Sequence, residues 1–473
     1  MITNRQQVCV VVSDLHLGDG LLQGEGFYQR QQDALDGLLA AIEPDGFLGQ
    51  ATSLELVING DCFDFLAAAP AAPDRQYTDI AFGAAKVERI IAAHPPFFAA
   101  LRRFLAAPEH RLTFTIGNHD LELCFAAVRA RVREAIGAEP GRARFCLSRA
   151  YRPLPGVELE HGCQFDPWNR IDELWDGYWP LLNLIDDGKE QSAAGPESMP
   201  LPWGSRYYYD VSVPIRQRYP YLEGFVPPLP SSHILAFLCR FAPDLVLQGA
   251  PRAASLRNPP QPSLVGLAAG DERNPAALFE AAWPDLAGLQ REVLEIAGIA
   301  LDAETEAKMQ KVAHMLGVAL GREPMAALAR IFAETADEHT HLAESDPAAK
   351  NIFLRDAATQ IALIGHTHLE GALRLPGNKL LLDTGTWTNR LFQPAKDELR
   401  YALLAWLRAP EQGAAPLRDA TRLTFALLQS AGHGSTTAQL YEWVGGWDGS
   451  YRPLQSIPES SQSESKETKS SEG

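Results

Sequence analysis

VCVVVSDLHLG, residues 8–18, sets the reading of the whole chain. Five apolar residues in a row make a strand buried on both faces, and they run straight into a serine, an aspartate and a histidine. The same grammar returns in LELVINGDCFD (54–64), LTFTIGNHD (112–120), VELEHG (157–162) and QIALIGHTH (360–368). Between the early runs lie helical patterns. In residues 27–42, Leu35, Leu38, Leu39 and Ile42 share one face at spacings of three and four. Strand, helix, strand predicts an α/β sheet covered on both sides, with polar groups gathered at the carboxyl ends of the strands, where such sheets bind ligands.

The chain has 473 residues, room for about three domains of ordinary size. At 46% hydrophobic it can bury a large core, which excludes wholesale disorder. Charge is strongly acidic: 42 − 59 = −17. Such a surface repels phosphate backbones and argues against a protein that coats nucleic acid. Six cysteines without a CxxC pair exclude a zinc ribbon or a dense disulfide framework and suit a reducing compartment. No run approaches about 18 apolar residues, so no transmembrane segment is expected. The N-terminal residues carry no secretory pattern, and the expected location is cytoplasmic, with peripheral membrane contact left open.

The middle of the chain, 166–355, has another texture. It is rich in proline, then helical and alanine-rich over about 275–344. It reads as a large, mostly helical cap inserted into one α/β domain whose halves are 1–165 and 356–452. The tail, 453–473, is Ser, Glu and Lys and is expected to be disordered. KLLLDTGTW (379–387), YALLAWL (401–407) and LTFALL (423–428) follow GHTH closely, which predicts antiparallel hairpins.

Five polar patterns stand at strand ends: SDLH, GDCFD, GNHD, HG and GHTH. In an extended strand i and i+2 point the same way, so Asp14 and His16 can share one ion, as can His366 and His368. Gly60, Gly117, Gly162 and Gly365 let the backbone turn tightly beside them. Mixed oxygen and imidazole donors suit Mn, Fe or Zn, and the amide of Asn118 adds no charge. Two divalent ions bring +4, Asp14 and Asp61 bring −2 and a bridging hydroxide −1, so the site stays near +1 and can attract phosphate despite the acidic surface.

Taken in order, these patterns resemble the calcineurin-like metallophosphoesterase superfamily: D-x-H, G-D-x-x-D, G-N-H-[DE], a lone His and G-H-x-H. The resemblance covers about half the chain. It implies a sandwich of two mixed sheets flanked by helices and a site for two divalent ions, Mn first, with Fe or Zn accepted. It assigns Asp14, His16 and His368 to one metal and Asn118, His161 and His366 to the other, with Asp61 bridging. His119 would protonate the leaving oxygen or stabilise the transition state, its ring held by Asp64. Asp120 is the alternative for that holding role, and otherwise a helix N-cap. The implied reaction is attack on phosphorus by the metal-bridging hydroxide.

GDCFDF lacks the arginine of GDxVDRG in the protein phosphatases of the superfamily. The chain is more distantly similar to bacterial UDP-2,3-diacylglucosamine pyrophosphatases, which also carry a helical insertion before GHxH but read Arg where His119 stands. HGCQFDPWNR resembles the HGxQFDPxN of a related set. The expected substrate is a phosphorylated small molecule or a lipid-like one; the alternatives are a Mn-dependent nuclease and a catalytically silent metal-binding scaffold.

Other residues carry weaker signals. Four tryptophans and six tyrosines between Trp168 and Tyr221 form either a core for the insertion or a wall over the metals. Arg206, Arg216 and Arg218 could reach a phosphate from there. His339 and His341 read as surface residues, and Cys62 and Cys163 as small packing groups. Asn389 and Arg390, after the strand that ends in Asp383, are candidate substrate contacts.

Overall fold

A computed structural model describes residues 7–21, 28–43, 53–70, 76–166, 168–171, 184–189, 197–219, 225–226, 244–245, 248, 347–392, 420–431 and 435–454. The expected helices of 275–344, the strand at 401–407, His339, His341 and all but the first two residues of the tail lie outside them.

In chain order the first part contains β1 (Gln7–Val12), α1 (Gln29–Ala41), β2 (Ser53–Asn59), β3 (Tyr77–Asp79), α2 (Ile80–Ala93), α3 (Pro95–Phe104), β4 (His110–Thr115), α4 (Ala126–Ile136), β5 (Ala143–Cys146) and β6 (Val157–Leu159). The middle adds β7 (Ile185–Asp186), β8 (Ser198–Pro200), α5 (Trp203–Tyr207), a π-helical turn (Tyr208–Ser212), α6 (Val213–Arg218) and β9 (Phe225–Val226). The last part contains α7 (Pro347–Arg355), β10 (Ile361–Ile364), β11 (Glu370–Leu375), β12 (Lys379–Thr384), β13 (Leu391–Phe392), β14 (Leu423–Ala431), β15 (Ser435–Val444) and β16 (Ser450–Pro453).

The result is a mixed α/β fold. Its large sheet runs β16-β15-β14-β1-β2-β4-β5-β7, and a second runs β11-β12-β10-β6. β1, β2, β4 and β5 are parallel, as are β6, β10 and β12. The expectation of a hairpin between the runs at 360–368 and 379–387 fails, since β10 and β12 are parallel; the antiparallel pairs of this region, β11–β12 and β14–β15, use partner strands that the sequence reading did not name. β11 folds back onto β12, and β12 slots between β11 and β10, which turns it parallel to β10.

Alternation along β1 shows how the layers form. Val8, Val10 and Val12 pack into a core with Leu35, Leu38, Val87, Leu101 and Val132 from α1 to α4. Cys9 and Val11 point the other way, into a core with Leu159, Leu363 and Leu382 from the second sheet. A third core joins Ile352 and Phe353 of α7 to Ala362 and Ile364. One face of the large sheet is thus covered by helices and the other by a sheet, which is why both faces of each central strand are apolar.

The described parts of 166–355 are stitched to this frame. β7 extends the large sheet beyond β5, β8 pairs with β3, and α7 packs on β10. No helix among the described residues is long and apolar enough to cross a membrane.

Candidate metal centre

The loops that follow the carboxyl ends of β1, β2, β4, β6 and β10 meet in one place, and they carry all seven residues assigned to metal. The Asp14 N–H donates to the Gly60 carbonyl (3.2 Å), the His16 N–H to that of Asp61 (3.0 Å), and the Gly365 N–H to that of His161 (2.7 Å). These bonds fasten neighbouring loops within each sheet, and the His366 N–H, donating to Asp14 Oδ2 at 3.0 Å, ties the loops of one sheet to those of the other.

The candidate ligands do not use strand geometry. β1 has ended by Val12, and Asp14 and His16 adopt left-handed backbone at φ 54° and 49°. So do Asp61 (48°), His366 (71°) and His368 (59°); apart from these, only Asn378 among the described non-glycine residues has positive φ. Each such residue costs on the order of 1–3 kcal/mol, and a concentration of them marks a place where the surroundings enforce the conformation. The i, i+2 argument is corrected accordingly: left-handed turns, not an extended strand, aim Asp14 and His16 inward. His366 and His368 end in different groups.

Three groups have donor atoms within 4.8 Å of one another: His16, Asp64 and His119, and the two made of assigned ligands, Asp14, His16 and His368, and Asp61, His161 and His366. Asp61 joins the latter two, its Oδ2 lying 3.2 Å from His161 Nε2 and 3.8 Å from His16 Nε2. His16 Nε2 and His368 Nε2 are 3.0 Å apart, and His368 Nε2 is 3.3 Å from Asp14 Oδ1. Two glycines matter here for space. A Cβ at Gly117 would stand 2.0 Å from Asp61 Oδ1, and one at Gly365 would stand 2.4 Å from Asp14 Oδ2. Crowding by the carboxylates, with ordinary negative φ, explains both.

Two orphaned atoms test whether a cation fits. Asn118 Oδ1 and His161 Nε2 are buried without a hydrogen-bond partner. His161 Nδ1 donates to the Asn59 carbonyl at 2.9 Å, which turns Nε2 toward Asp61, so that either a proton or a cation must stand between the two. Burial works against a charged His161, yet Asp61 and Asp14 push its pKa up to about 10. Burial likewise opposes ionisation of Asp61 and Asp14, but the neighbouring histidines, His161 first, hold both well below the usual carboxylate range. In the absence of metal, a proton on His161 supplies the positive charge these carboxylates require. Buried His and Asp groups of this kind could hold a metal ion.

Around these groups, His119 Nδ1 lies 3.0 Å from Asp64 Oδ1. Burial alone would lower the His119 pKa; Asp64 and Asp61 raise it to about 9. Asp120 has a different task from either one proposed for it. Its carboxylate accepts the Cys62 N–H (2.9 Å) and the Gly117 N–H (2.7 Å), fastening the GDCFD and GNHD turns together. Burial first, then Asp61, pushes its pKa up to about 7. Cys62 and Cys163 are buried packing groups.

Sequence reasoning missed two orienting residues in QFDPWN. Asp166 Oδ2 accepts His366 Nε2–H at 3.0 Å, and it also accepts the amide of Asn169 (2.6 Å). Asn169 Oδ1 in turn receives the Asn118 amide at 3.3 Å, which leaves Asn118 Oδ1 to the site. The signal was present as polar residues closely following His161. DTGTWTN also contributes through its backbone grip. Thr386 Oγ1 and the Trp387 N–H both donate to the Asp14 carbonyl, at 2.9 and 3.0 Å. Asn389 Oδ1 accepts from Gln31 (2.6 Å), and the charge of Arg390 is felt at His368, whose pKa burial pushes down to about 4.

The aromatic stretch divides between its two readings. Trp168, Trp203 and Tyr207 pile on one another, while Tyr208 sits edge-on to His119 with centroids 4.7 Å apart. Arg218 pairs with Asp244, and Arg216 lies over the Tyr208 ring. No protein-family model and no curated protein matches the sequence.

Proposed function

We propose that the protein is a metal-dependent hydrolase of phosphoester or phosphoanhydride bonds. Its architecture would be that of the calcineurin-like metallophosphoesterases, with 166–355 as a cap. The observation that carries this reading is Asp61 standing between two His/Asp groups, with an Asp64-held His119 beside them. Bound cations would supply the charge that acidifies a water and offsets the phosphoryl oxygens. Asp14, His16 and His368 would hold one ion, Asn118, His161 and His366 the other, and Asp61 would serve both. The donor set suits Mn, Fe or Zn.

His119 keeps its Nδ1–H on Asp64, so its Nε2–H is the proton available to the leaving oxygen. The Asp64 carboxylate favours the protonated ring. Asp64, ionised and hydrogen-bonded, fixes the tautomer and the ring orientation. No side chain needs to bond covalently to phosphorus.

The test is a panel of p-nitrophenyl phosphate, bis-p-nitrophenyl phosphate, nucleotide diphosphate conjugates and DNA, run on chelated and Mn²⁺-reloaded protein. Hydrolysis lost with chelation and restored by Mn²⁺ supports the proposal. Two bound metals by elemental analysis with no turnover on any substrate would replace it with a binding scaffold.

A further inference from the structure

The stretch 197–219 lies in sequence between His161 and His366, yet it reaches into the surroundings of His119. Thr78 of β3 pairs with Met199 of β8, and the Ser205 hydroxyl donates to the Asn118 carbonyl at 3.2 Å. Beyond α5 comes one π-helical turn, a feature that recurs at functional sites because it re-aims side chains. Tyr209 is anchored inward, where its hydroxyl accepts the buried Lys86 ammonium at 2.9 Å. Tyr208, the residue before it, is delivered against His119, and its hydroxyl lies 3.1 Å from Asp64 Oδ2.

The direction of these bonds is fixed by what each group can do. A guanidinium only donates, and Arg216 Nη1 donates to the Tyr208 hydroxyl while its plane covers the ring at 4.9 Å. The single hydroxyl proton of Tyr208 is therefore given to Asp64. Asp64 then accepts from Tyr208 on Oδ2 and from His119 and the Ala67 N–H on Oδ1, the last at 3.0 Å. Both its oxygens are fastened, and the carboxylate cannot swing away from His119.

We propose that Tyr208, braced by Arg216, is a positioning residue for His119, so that the segment between the two halves of the domain completes the acid's hydrogen-bond chain. This rests on the hydrolase reading for its catalytic meaning, but not for its geometry. Arg216 acts on Tyr208 in this scheme, which gives it a role other than substrate contact.

Tyr208→Phe removes the hydroxyl and keeps the ring. The expected result is unchanged metal content and a melting temperature lowered by no more than a few degrees, with kcat lowered about tenfold and KM unmoved. The loss should be larger for alkyl phosphates than for p-nitrophenyl phosphate, because a poor leaving group needs the proton more. In a His119→Ala background the same substitution should cost nothing further. Arg216→Met should shift kcat in the same direction by less.

A readout independent of turnover is the ring Nδ1–H of His119 in ¹⁵N-histidine-labelled protein. It should exchange slowly with solvent in the wild type and several-fold faster in Tyr208→Phe. Additive kinetic losses, or an exchange rate that does not change, overturn the proposal. If the wild type hydrolyses nothing on the panel, the hydrolase reading fails, and the exchange measurement alone decides whether Tyr208 positions His119. Should Tyr208→Phe not fold, Arg216→Met read by the same two measurements decides it.

Discussion

The two His/Asp groups are built to different standards. In the group formed by Asp61, His161, His366 and Asn118, every side chain has a second bond that fixes it: to the His119 N–H, the Asn59 carbonyl, Asp166 and Asn169 respectively. In the other group Asp14 is held by the His366 N–H, but His16 and His368 meet mainly each other. Among the described residues neither ring has a carbonyl or carboxylate fixing its Nδ1. The most exposed of these side chains is His368 at 23%, against 0% for His161, while His366 at 13% and His16 at 9% do not follow the division. Ligands fixed in advance lose less freedom on binding, so on the proposed reading the first group would hold an ion tightly and the second would exchange one.

Asp61→Ala strikes both groups and should have the largest effect. Turnover is expected to fall by about 10³-fold or more, with metal lost from both positions on elemental analysis. Retention of one full equivalent would break the claim that this carboxylate is shared.

Asp166→Ala should erase the asymmetry without touching a ligand. Removing a partner of this kind costs about 10–100-fold in metal affinity. Stepwise chelator titration should show two phases in the wild type and a single weak one in the variant. Two unchanged phases would mean that the hydrogen bond to His366 does not set the difference.

Protons discriminate between the groups as well. His161 and His119 have metal-free pKa values raised to about 10 and about 9, against 6.5 unfolded. Their stabilisation is complete below about pH 6.5 and disappears as pH rises through those folded values. Asp14 and Asp61 are lowered, so their contribution is present above about pH 4 and is lost on acidification. His368, pushed down to about 4, is neutral and ready for metal at pH 7. Metal-free protein should therefore melt at a lower temperature at pH 9 than at pH 6, and Mn²⁺ should stabilise it more at pH 9. Proton release on loading at pH 7.5 should include the His161 proton and be smaller by about one proton in His161→Ala. Release undiminished by this change would assign that proton elsewhere.

Ser205→Ala is the mildest probe. It removes one hydrogen bond to the Asn118 carbonyl, worth about 1 kcal/mol, and should lower the melting temperature by a few degrees with little change in turnover.

The convergence of the seven assigned residues was readable because each follows an apolar run with a short polar signature, and the backbone brings those run-ends together. How they point was not readable. Left-handed φ at Asp14, His16, Asp61, His366 and His368 is enforced by contacts between loops distant in sequence, and the modest preference of Asp and His for that region is too weak to announce it. Strands such as β7 and β8, with two and three residues, are too short to show a period, so their stitching to β5 and β3 was invisible. Asp120 was misread for a related reason. It occupies the position before a helical turn, but its carboxylate finds two backbone N–H groups on neighbouring turns instead.

The alternation of β1 ties the interior to the chemistry. Odd residues press on the second sheet, even residues on the helices, and only one residue separates Val12 from Asp14. Side chains here could be exchanged over long evolutionary times, but the count of residues could not. One inserted or deleted codon between Val8 and His16 would either turn the strand inside out or carry the aspartate past its partners. This stretch should tolerate changes of spelling and no change of length.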